Sequence, residues 1–78
     1  MDKTQVIAAT VTQGDMVHTE FGDYGNYVDV IVDSVVRLDD KWADWLVHYP
    51  RTPDHKFIMC VADPYKELVE VYTQCRFY

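Results

Sequence analysis

Tyr27-Val28-Asp29-Val30-Ile31-Val32-Asp33-Ser34-Val35-Val36-Arg37 is the stretch that decides the fold. Val28, Val30, Val32, Ser34 and Val36 fall on one side of an extended chain, and Asp29, Ile31, Asp33, Val35 and Arg37 on the other. Period-2 alternation with β-branched residues predicts a strand with one buried side, Val28, Val30, Val32 and Val36 in the core and Asp29 and Asp33 facing water. A helix would stack Asp29 and Asp33 one turn apart, like charge on like charge.

More strands lie on either side. Val6 to Val11 is short and apolar. Met16 to Phe21 follows the turn residues Gln13-Gly14-Asp15. Gly22 and Gly25 then supply the positive φ of a tight loop over Phe21 to Asn26. Leu38 to Trp45 reads two ways. Trp42, Trp45, Leu46 and Tyr49 have helical spacing, with Asp39 as N-cap, yet Trp45, Val47 and Tyr49 also alternate. A turn followed by a strand is favoured. Pro50-Arg51-Thr52-Pro53-Asp54 is a turn, and Lys56 to Ala62 is another strand. Asp63-Pro64 has the form of a helix start, so a helical turn is expected at 64–67 and a last strand at 68–77. These segments predict an all-β fold class with one helical turn, and the resemblance given below implies its form, a five-stranded small barrel. The alternative is α+β, with a short helix near 39–46 or 64–72.

The chain has 78 residues, enough for one domain. Such a chain buries only about 60–65% of its unfolded surface, so it needs a dense core. A composition 49% hydrophobic can supply one and argues against disorder. The start, MDKTQVIAAT, has an apolar run too short for a signal peptide. No run approaches the length that spans a bilayer as a helix. The expected compartment is the cytoplasm, with no membrane association. Cys60 and Cys75 are then expected as buried free thiols.

The charge is concentrated. Asp15, Glu20, Asp23, Asp29, Asp33, Asp39, Asp40 and Asp44, against Arg37 and Lys41, give −6 between residues 15 and 44, equal to the formal charge of the whole chain. Phe21, Tyr24, Tyr27, Trp42 and Trp45 interleave with them. Acids at alternate strand positions stand about 6.5–7 Å apart and can complement Lys and Arg. Tyr and Trp are the types that dominate binding energy in interfaces. The candidate protein-binding residues are Asp23, Tyr24, Tyr27, Asp29, Asp33, Asp39, Asp40, Trp42, Asp44 and Trp45.

Other chemistry finds little support. His48 and His55 flank the proline turn, but no His or Cys pair has metal-ligand spacing. No catalytic signature surrounds Cys60, and no phosphate-binding loop follows Gly22 and Gly25. No cofactor or metal is implied, and the chain reads as a non-enzyme. A pI of about 4.7 with scattered bases makes nucleic acid an unlikely partner.

Gly14-Asp15-x-Val17, then Phe21-Gly22-x-Tyr24-Gly25, then Val28-x-Val30 resembles the opening of KOW-type and other Src-homology-3-like barrels. The later part, with Leu46-Val47-His48-Tyr49, Asp63-Pro64 and the closing Arg76-Phe77, resembles short uncharacterised bacterial domains of that barrel type. The KOW loop usually carries basic residues, where this chain has Glu20 and Asp23. The resemblance therefore implies a fold and no activity. The function expected is non-enzymatic binding of a protein partner with a basic surface. Size and acidity fit a phage or mobile-element accessory protein that inhibits a host nucleic-acid-handling machine. The alternative is an RNA- or single-strand-binding small barrel, whose exposed aromatics would stack bases. Oligomeric state is open, a small homo-oligomer included.

Overall fold

A computed structural model describes residues 2–21 and 25–73. Six strands form one antiparallel sheet: β1 (Lys3–Ile7), β2 (Met16–Glu20), β3 (Tyr27–Leu38), β4 (Trp42–His48), β5 (Lys56–Ala62) and β6 (Leu68–Tyr72). Their order is β1-β6-β2-β3-β4-β5. Four strands run as a meander from β2 to β5, and β6 returns to lie beside β2. The expected five strands are six, because Lys3–Ile7 pairs with β6 along its whole length, from Lys3↔Tyr72 to Ile7↔Leu68. The expected closed barrel is an open sheet, with β1 and β5 at its edges.

Helix plays almost no part. The expected strand at Val6 to Val11 ends at Ile7, and Ala8–Thr10 is a 3₁₀ turn. The expected helical turn at 64–67 is a hydrogen-bonded turn, in which Lys66 and Glu67 N–H donate to the Asp63 carbonyl, each at 2.9 Å. Asp63 is not an ordinary N-cap, since its φ is +50°. This turn is anchored by its neighbours: Ala8 N–H donates to Glu67 O and Ala9 N–H to Pro64 O, both 2.9 Å, and Pro64 is fully buried. The alternative helices near 39–46 and 64–72 are replaced by β4 and β6. Turn-then-strand is the correct reading of residues 39–49. Asp39 Oδ1 accepts the N–H groups of Lys41 and Trp42 at 2.9 Å, which reverses the chain before β4. The last strand ends at Tyr72 among the described residues; Cys75 lies outside them.

The long strand β3 carries the main departure from simple alternation. Val32 pairs with Val47 and Ser34 with Leu46, leaving Asp33 without a partner. Val35 pairs with Trp45 and Arg37 with Asp44, leaving Val36 unpaired as well. Each extra residue is a β-bulge, which bends the strand and swaps the side that follows. The inner face therefore reads Val28, Val30, Val32 and then Val35. Val36, expected in the core, is 55% exposed, and Ser34 lies on the outer side opposite Leu46.

Val17, Val30, Val32, Ala43, Trp45, Val47, Met59 and Val69 form one core with Ala8 and Val11. These residues come from β2 through β6, so the sheet curls round its own inner face. Trp45 is the largest fully buried side chain, and burial on that scale contributes about 3 kcal/mol or more. Among the described residues, no helix is long and apolar enough to cross a membrane.

Candidate functional site

The acidic stretch does not fold into one uniform face. Asp23 and Tyr24 lie outside the described residues. Asp15 is buried and accepts the Thr12 N–H at 3.0 Å, which closes the turn ahead of β2. Gly14 serves the same turn at φ +93°, a backbone angle that favours glycine.

Asp29 and Asp33, expected to face water, are both held by histidines. On the outer face His18 stands opposite Asp29, and its Nδ1–H donates to Asp29 Oδ1 at 2.7 Å. Tyr72 Oη–H donates to the same oxygen at 2.9 Å. Burial pushes the Asp29 carboxyl up, but the bonds from His18 and Tyr72, with the charges of His18 and Lys3, outweigh it and hold the group below its usual range. Rings cover this cluster: Tyr27 stacks on His18 at 5.2 Å, and Lys3 Nζ lies 5.3 Å from the centre of the Tyr72 ring. The second pair is Asp33 with His48, whose Nδ1–H donates to Oδ2 at 2.7 Å, while Lys56 Nζ lies 3.9 Å from the other oxygen.

Asp39 also has structural work. Besides the two backbone N–H groups, it takes Arg37 Nε–H at 3.0 Å. The backbone bonds, then the Arg37 bond, hold its carboxyl low. Asp40 and Asp44 remain on the outer surface beside Trp42, which is 43% exposed. Trp45, expected in the binding face, is 1% exposed and belongs to the core. Its neighbour two residues earlier in the strand, Ala43, points inward with it, whereas Trp42 does not.

Sequence reading missed a cleft. It holds about 630 Å³ between β5, the start of β6 and the end of β2. Ile58, Leu68, Phe21 and Tyr27 contribute apolar surface, and Glu20, Glu67 and Glu70 are the carboxylates. Among the described residues, no Lys or Arg lines it. One signal was available. After Lys56, β5 reads Phe-Ile-Met-Cys-Val-Ala without a charge, although it is an edge strand. Phe21, Phe57 and Tyr49 form a ring cluster near one end, with centroids 5.6 and 5.1 Å apart.

An Asp–His pair is the arrangement that orients a catalytic base. Among the described residues, however, no Ser, Thr or Cys hydrogen-bonds to His18 or His48. Cys60, expected buried, is exposed. Its bond to Asp44, then burial and the Asp44 charge, push the thiol up, the opposite of an activated nucleophile. No group of three or more His, Cys, Asp or Glu among the described residues could hold a metal ion.

Compared with family models, curated proteins and solved structures, the chain gives no match.

Proposed function

We propose that the chain is a non-enzymatic protein-binding domain whose acidic, aromatic surface takes a basic region of a partner protein. The observation that carries this reading is the β3–β4 turn. Trp42 stands half exposed there, with Asp40 and Asp44 beside it and Asp39 fixing the turn beneath. Exposed tryptophan supplies contact area, and carboxylates supply rate and choice of partner. Asp29 and Asp33 are withdrawn from direct contact in this reading, since their own histidines occupy them. The strand order β6-β2-β3-β4-β5 supports an Src-homology-3-like architecture, opened at one seam and extended by β1.

A nucleic-acid-handling machine fits as the partner, because its phosphate-holding Lys and Arg would match Asp40 and Asp44. A phage or mobile-element inhibitor is the favoured version. The test is affinity purification of the tagged chain from its native host, beside Trp42→Ala and the double variant Asp40→Lys, Asp44→Lys. The reading expects a basic protein that co-purifies with the native sequence and is lost with both variants. Equal recovery with all three proteins would overturn it. Retention on heparin with no protein partner would favour the nucleic-acid alternative.

A further inference from the structure

The cleft between β5 and β6 goes beyond the β3–β4 turn, and it stands on different residues. β5 pairs with β4 from Lys56 to Ala62 without a break in register, and among the described residues its other side is a sheet edge. Edge strands are normally blunted by charge, proline or a bulge. β5 has Lys56 at its start and nothing of the kind afterwards. Its backbone donors and acceptors are thus presented beside apolar side chains. Ile58 is 51% exposed on β5, and Leu68 is 53% exposed on β6.

The far wall is also incompletely paired. β6 pairs with β2 only at Val71↔Val17 and Glu70↔His18. Leu68 and Val69 continue β6 beyond that ladder, and both line the cleft. A volume of about 630 Å³ lined by residues of β5, β6 and β2 has room for an extended segment of a few residues.

The charges select the occupant. Glu20, Glu67 and Glu70 line the cleft, and no Lys or Arg among the described residues does. A second copy of this chain, at formal charge −6, would bring like charge to an acidic rim. We propose that the cleft receives an extended segment of another protein, added as a strand along β5. Its apolar side chains meet Ile58, Leu68 and Phe21, and its Lys or Arg side chains meet Glu20, Glu67 and Glu70.

The test uses the full chain and fluorescently labelled octapeptides of alternating Lys and Val, alternating Glu and Val, and the Lys–Val peptide with alternate backbone nitrogens methylated. Binding is read by anisotropy, and its place by amide chemical shifts. The Lys–Val peptide is expected to bind with shifts in residues 58–62 and 67–70. The Glu–Val and methylated peptides are expected to bind at least about tenfold more weakly. Ile58→Lys, at an exposed position, should weaken the Lys–Val peptide to the same degree, and Glu67→Lys with Glu70→Lys should do so while keeping the native shift dispersion. No binding of the Lys–Val peptide at about 1 mM would overturn the proposal. So would equal binding of the methylated peptide, or shifts confined to Asp39 to Asp44. The last result would leave the β3–β4 turn as the only basic-partner surface, so the two readings fail separately.

Discussion

His48 Nδ1 lies 2.7 Å from Oδ2 of Asp33, the residue that β3 leaves unpaired between Val32 and Ser34. The bulge that frees Asp33 from the ladder also brings its carboxylate to a histidine on the next strand. Both side chains are mostly covered, 12% exposed for His48 and 20% for Asp33. The pair therefore fixes the bulge. Asp33→Ala should cost about 1–2 kcal/mol, because it leaves a covered ring N–H without its acceptor. Asp33→Asn retains an acceptor and should cost less. Urea unfolding of the two variants checks the order, and equal costs would detach the bulge from the histidine.

Asp29 gives the fold a dependence on acid. Its folded carboxyl is held below its ordinary value by the bonds from His18 and Tyr72. A lowered folded pKa adds stability that is complete above the unfolded value and is lost as pH falls through the folded one. Asp29→Asn should then be less stable than the native sequence at about pH 6, by about 1 kcal/mol or less, since the side chain is half exposed. The gap should narrow at a second pH below the ordinary carboxylate range, as the native carboxyl takes up its proton. Urea midpoints at the two pH values measure it; a gap that stayed constant would remove Asp29 from the pH response.

The bulges are tested by neighbouring valines. Val35 packs on the core and Val36 is exposed. Val35→Asp should destabilise the chain by about 2 kcal/mol or more, since it sets an unpaired charge against the core. Val36→Asp should cost about 1 kcal/mol or less. Circular dichroism and urea titration distinguish them. Plain alternation through β3 predicts the reverse order.

The two tryptophans should report different surroundings. Acrylamide should quench Trp42 readily, as seen in a Trp45→Phe variant, and Trp45 poorly, as seen in Trp42→Phe. Trp45→Ala should cost about 3–5 kcal/mol, and Trp42→Ala about 1 kcal/mol or less. Similar quenching in both single-tryptophan proteins would contradict the packing of β4.

Cys60 is accessible but disfavoured as a thiolate by Asp44. Its alkylation by iodoacetamide at about pH 7.5 should be slower than that of an ordinary exposed cysteine, and Asp44→Asn should speed it. Peptide-level mass spectrometry isolates the Cys60 rate from that of Cys75. No acceleration in the variant would mean that the carboxylate does not control the thiol.

Strands were legible wherever apolar residues alternated: β2, β3, β4 and β5 fall where the sequence placed them. Turn chemistry was legible at Asp39 and at Gly14. The bulges were not, because a bulge is fixed by how β4 pairs across from β3, and Val35 and Val36 are the same residue type. The first strand was misplaced at Val6 to Val11 because Lys3–Ile7 shows little apolar alternation. Its strand character comes from pairing with β6, far along the chain. Of the binding residues, Trp42 and Trp45 were inseparable by composition, and only the register of β4 sorts them. Counting acids located the charge correctly, but it could not show that His18 and His48 would take up Asp29 and Asp33 from neighbouring strands.

The pairing of β1 with β6 also sets an order of events during synthesis. β1 emerges before the other five strands, yet among the described residues its sheet neighbour is the strand that ends at Tyr72. At about 5–20 residues per second, Lys3 waits roughly 4–14 seconds for that partner to be made. During that interval the β2–β5 meander can already pair, with its apolar β5 margin open to whatever is nearby. A nascent chain in this state would be most exposed to chaperones, or to an early encounter with its binding partner, just before the sheet gains its last two strands.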